Sequence, residues 1–114
     1  MDKELAKKVA IEATAKYDFD CREVLTCETL DEESAKAICL RADIPPPKNS
    51  ASNYHEVVVR VFCSKERVNS LIEPTDSVED VAMKHDYLGG GSKIRVIVAD
   101  GKVVNEEMIG VQLS

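Results

Sequence analysis

Thiols and imidazoles are the side chains here with the most chemistry to offer. Four cysteines stand at positions 21, 27, 39 and 63, and two histidines at 55 and 85. No two cysteines form a CxxC pair, and their intervals fit no zinc ribbon. A Cys21–Cys27 disulfide or redox pair stays open, because sequence does not give the approach geometry. A nucleophilic sulfur needs a base or a helix N-terminus to lower its pKa. Cys63, at the end of an expected strand, is the candidate reactive thiol, if the fold brings His55 or His85 to it. Glu28, Asp31, Glu32 and Glu33 cluster without the spacing of a calcium loop and read as a solvated helix start. Gly89, Gly90 and Gly91 follow a helix, which suits a helix stop; a phosphate cradle precedes one. No catalytic set, metal site or cofactor is expected.

Composition narrows the classes further. The 114 residues are 44% hydrophobic and 32% charged, with net charge −6 and pI near 4.9. That balance suits one globular domain and an acidic surface, which repels phosphate backbones and argues against nucleic-acid binding. No apolar run approaches the ~20 residues a membrane span requires. The start, MDKELAKK, mixes both charge signs ahead of no hydrophobic core, so no signal peptide is legible and a cytoplasmic protein with reduced thiols is expected.

The elements that would position these residues follow from periodicity and punctuation. Leu5, Val9, Ala13 and Tyr17 recur every four residues and predict a helix over 3–17. The alanine-rich stripe implies close packing on another element. CREVLTC, residues 21–27, alternates well enough for a short strand, with a loop that tucks in Phe19 and Leu25 as the alternative. Thr29 and Glu32 have the spacing of a capping box and open a second helix. Residues 45–53, with Pro45, Pro46 and Pro47 leading a polar run, form a connector between a helical segment at 1–44 and a strand-rich part at 54–114.

Past the connector, residues 54–63 alternate strongly as a strand with Val57, Val59, Val61 and Cys63 on one face. A polar turn at 64–67 leads to a second strand at 68–73, ended by Pro74. Ser77 and Asp80 then cap a helix whose apolar side is Val78, Val81, Ala82 and His85. Residues 93–99 form the next strand. Asp100-Gly101 is a tight turn, Lys102–Val104 folds back, and the tail from Met108 offers a last short strand.

This order resembles a β-grasp domain, and the residues from about 55 to 104 resemble ubiquitin-like domains. The likeness rests on Glu73-Pro74-Thr75-Asp76-Ser77-Val78-Glu79-Asp80-Val81 and on Arg95-Val96-Ile97-Val98-Ala99 followed by Gly101-Lys102. It implies an α+β fold: a mixed β-grasp sheet with one main helix, preceded by an N-terminal helical or α/β extension. Strand positions taken without a gap would bury Arg60, so a one-residue shift burying Val57, Val59 and Val61 is expected. The sequence ends Gln112-Leu113-Ser114 without a Gly-Gly, so conjugation chemistry is not implied.

The resemblance further implies a protein-binding face at Arg95, Ile97 and Lys102, with a helical partner of the ubiquitin-interacting type. Ile97 is either that exposed centre or core beneath the N-terminal helices. The favoured function is therefore a non-catalytic interaction module. Two alternatives stand beside it: a small thiol or redox protein using Cys63, and a ferredoxin-like subunit of a larger assembly with one continuous sheet. The last gains if CREVLTC is a strand paired with residues 54–63.

Overall fold

The computed structural model describes residues 3–41 and 54–112, so the connector at 45–53 lies outside the described residues. The protein is α+β. Its elements run α1 (Lys3–Ala13), β1 (Cys21–Leu30), α2 (Glu32–Arg41), β2 (Tyr54–Phe62), α3 (Lys65–Leu71), α4 (Val78–Gly90), β3 (Ser92–Ala99) and β4 (Lys102–Val111). A 3-10 turn over Thr14–Lys16 extends α1.

The four strands form one sheet in the order β1-β2-β3-β4, and every pairing is antiparallel. The mixed sheet expected from the resemblance is therefore not the sheet observed. CREVLTC is a strand, and it pairs with β2 from Cys21 opposite Phe62 to Leu30 opposite Tyr54. One continuous sheet thus spans residues from before and after the connector, the pairing that would favour the assembly reading.

Alternation sets the core. Val57, Val59 and Val61 are fully buried, in the register that keeps Arg60 off the core face. Ile94, Val96 and Val98 lie beside them, and Ala6 and Ala10 of α1 close over the six. The helix buries these alanines and Thr14 while Leu5 stays 47% exposed, so its inward stripe is rotated from the expected Leu5–Tyr17 line. Small side chains decide the rotation: the methyl groups let the helix axis approach the branched sheet residues closely, which leucine at the same positions would prevent.

Two arginines of the sheet hold helix ends. Arg22 of β1 donates to the carbonyl of Thr14 through Nε (3.2 Å) and Nη2 (2.8 Å), and also to those of Tyr17 and Phe19. Arg60 of β2 donates to the carbonyls of Gly89 and Gly90, each at 2.7 Å, and pairs with Glu23 at 3.0 Å. Arg60 meets carbonyls at the C-terminal end of α4, and Arg22 meets those at and just beyond the end of the 3-10 turn. Arg60 is thereby tolerated half-buried, lying over the Phe62 ring at 3.9 Å.

Three local expectations are corrected. Residues 68–73 do not form a strand. Ser64 accepts a hydrogen bond from the Arg67 N–H and caps α3 instead, with Val68 buried on its inner side. The second helix starts two residues later than expected, because Thr29 is paired in β1 opposite His55, and Asp31 takes the capping role by accepting from Ser34 N–H at 2.7 Å. Lys102–Val104 and the tail form one strand, β4, which absorbs Val104 and Ile109 as bulges. The Asp100-Gly101 turn is as expected, with φ of 49° and 82°, the pattern of a type I′ hairpin.

Gly91 closes α4 with φ 80° and ψ −156°, a region essentially reserved for glycine. A Cβ there would lie 1.9 Å from the Val61 carbonyl oxygen, a backbone atom that cannot step aside. Gly91→Ala is expected to destabilise the protein by about 3 kcal/mol or more, whereas Gly110→Ala, whose Cβ would meet only the Lys93 side chain at 3.5 Å, should cost about 1 kcal/mol or less. Urea unfolding of the two variants checks the contrast.

Candidate functional site

Among the described residues, three places are candidates for function: the sheet face around Ile97, the cleft beside Cys63, and the outer side of α4. On the sheet, the register sets Arg95, Ile97 and Lys102 on one face, since Ile97 is two residues from Arg95 and Lys102 pairs with Ala99. The face is not an open apolar centre. Ile97 is 0% exposed and packs with Tyr54 and Ala99, with Leu30 and Val104 against them. Arg95 is engaged by Glu107 at 3.0 Å, and Lys102 is exposed. The exposed-centre reading of Ile97 is thus corrected to core. The same region buries the Tyr54 hydroxyl and the Asn105 amide without hydrogen-bond partners.

The cleft lies where the end of β2 meets α3 and α4. It measures about 300 Å³, at the small end for a ligand site, and is lined by Phe62, Cys63, Ser64, Lys65, Val68, His85 and Gly89. The fold therefore brings Cys63 and His85 to one cleft, while His55 is buried in β2. Cys63 is 3% exposed, and its N–H donates to the Leu88 carbonyl at 2.8 Å. Burial pushes its thiol pKa up; Arg67 opposes this, while Asp20, Asp18 and Cys21 add to it. A thiol so placed stays protonated at neutral pH, the opposite of what nucleophilic sulfur requires. Cys27 is likewise pushed up by burial. Cys21 and Cys27 are both free and sit at separate points along β1, about 20 Å apart at strand spacing, which is far too distant for a disulfide.

Among the described residues, no group of three or more His, Cys, Asp and Glu side chains is placed to hold a metal ion. No helix among them is long and apolar enough to cross a membrane.

The third place follows from how α4 is mounted. Its N-terminus carries a full capping box: Ser77 accepts from Asp80 N–H, and the Asp80 carboxylate accepts from Ser77 N–H. Lys84 donates to Asp76 at 2.6 Å and to the Leu71 carbonyl at 3.0 Å, tying α4 to the end of α3. These ties turn Val81, Lys84, His85 and Leu88 toward the protein, all half-buried. The expected apolar side was Val78, Val81, Ala82 and His85. Val78 is instead 87% exposed and Ala82 is exposed too, so sequence periodicity placed the buried face partly wrong. Met83 (56%) and Tyr87 (52%) stand outward one turn apart. The signal that could have found them is their i, i+4 spacing, which competes with the valine stripe on the same helix.

Comparison with family models, with curated proteins and with solved structures finds no match to this chain.

Two expectations follow. In native protein near pH 7.5, Cys63 should react with a small alkylating reagent far more slowly than in denaturant, as mass spectrometry of the labelled sites would read; fast native labelling would reverse the assignment. Asp76 is held below its ordinary value of 3.8, chiefly by the Lys84 ammonium and then by the Glu73 N–H. A depressed carboxyl adds stability above that ordinary value and loses it as pH falls through the folded value. Between about pH 5 and pH 2, Asp76→Asn should therefore show a shallower fall in melting temperature than the parent.

Proposed function

We propose that this protein is a non-catalytic protein-interaction module whose docking surface is the outer side of α4. The observation that carries the reading is the pair Met83 and Tyr87, each more than half exposed on a helix firmly mounted at both ends. Apolar residues with a polar rim are how such surfaces bind. The likeness of residues 73–81 to ubiquitin-like domains supports an interaction role by analogy, with α4 replacing the Ile97 face.

Other modes fit the geometry less well. Adding a partner strand needs a regular sheet edge. The β1 edge is broken by a register shift at Leu25, and β4 bulges at Val104 and Ile109 around the acidic pair Glu106-Glu107. Such irregular, charged edges discourage pairing. A thiol enzyme would need an accessible, low-pKa sulfur, and Cys63 is neither.

Chemical-shift mapping of the labelled full chain against a neutral amphipathic helical peptide tests the proposal. Localised shifts over residues 79–87 are expected. Shifts centred instead on residues 95–105 would move the docking surface to the sheet, and a well-folded chain unmoved by the peptide would overturn the reading.

A further inference from the structure

The outer side of α4 carries one sign of charge. Around Met83 and Tyr87 a 3.6-residue period places Glu79, Asp80 and Asp86. The helix has one lysine, Lys84, and it is turned inward and neutralised by Asp76 at 2.6 Å. What remains outward is an apolar pair within an acidic rim, on a chain whose net charge is already −6.

Resting on the interaction-module reading, we infer that α4 docks a cationic amphipathic helix: a partner segment with apolar residues on one face and Lys or Arg along both sides of it. Complementary charge selects that chemistry. Lysine or arginine beside the apolar contact would meet Glu79 and Asp86, and a guanidinium or ammonium can also lie on the Tyr87 ring. A helix suits the site better than an extended strand, because helix-on-helix packing uses side chains one turn apart and asks for no free backbone edge. An anionic or acidic partner is repelled by the same rim.

The test uses the full chain, isotopically labelled, and two designed helical peptides about two heptads long with the same leucine face, one flanked by lysines and the other by glutamates. Expected are shifts over residues 79–87 with the lysine peptide alone, weakening as salt is raised. The exposed double variant Glu79→Lys/Asp86→Lys should bind the lysine peptide about tenfold more weakly. The variant Met83→Ser/Tyr87→Ser, also on exposed positions, should lose the localised shifts while keeping its melting temperature.

Equal α4 shifts with both peptides would overturn the charge assignment and leave the docking face standing. Shifts that survive Met83→Ser/Tyr87→Ser would reduce the effect to unspecific charge attraction and overturn the site. Concentration-dependent α4 shifts without peptide would give the face to a second copy of the chain, overturning the cationic partner. No α4 response to any peptide would overturn the docking face itself.

Discussion

The close approach of α1 to the sheet is the constraint on which the rest depends. Ala6 and Ala10 are small enough to sit directly on the row formed by Val57, Val59, Val61, Ile94, Val96 and Val98. That contact consumes one whole sheet face, and with it the register of β2 and β3, since a one-residue slip would trade three buried valines for Arg60. It also requires α1 to end at a defined point. Arg22 supplies that end by gathering the carbonyls of Thr14, Tyr17 and Phe19.

Arg60 does the same for the other side of the molecule. Its guanidinium reaches the last carbonyls of α4, and Gly91 lets the chain turn back against Val61 at a distance no side chain would permit. Charge-assisted hydrogen bonds of this kind, made where water is partly excluded, are stronger than surface ion pairs. The α3–α4 pair is thereby fixed to the sheet end by a few directional contacts. A helix mounted this way keeps its outer side available.

The proposed function rests on what these contacts leave over. One sheet face is covered by α1, and on the other Ile97 is core. Cys63 shares a cleft with His85, yet burial pushes its pKa up and it stays a thiol. Both sheet edges are interrupted. In the reading proposed above, the outer side of α4, with Met83 and Tyr87 exposed, is the surface that takes a partner.

Much of this was legible in the residues. The alternation of 54–63 and 93–99, the Ser77 capping box, the glycine stop and the Asp-Gly hairpin are local signals whose physics operates within a few residues, and each appears within a residue of where its pattern places it. The rest depended on partners distant in sequence. Residues 68–73 carry a weak alternation, and only the Ser64 cap and the burial of Val68 select helix over strand. Thr29 has a capping box to offer, but pairing with His55 in the sheet outbids it, and the cap passes to Asp31. Ile97 looks the same in sequence whether core or exposed, because burial is set by what the fold lays over it. The two arginines are ordinary cations in the sequence, and their role exists only once a helix end is brought within hydrogen-bond reach. The sequence by itself determined the α+β class, most of the elements and the valine face of β2. The tertiary structure decided which sides of the helices are buried, because that choice depends on contacts that local periodicity does not contain.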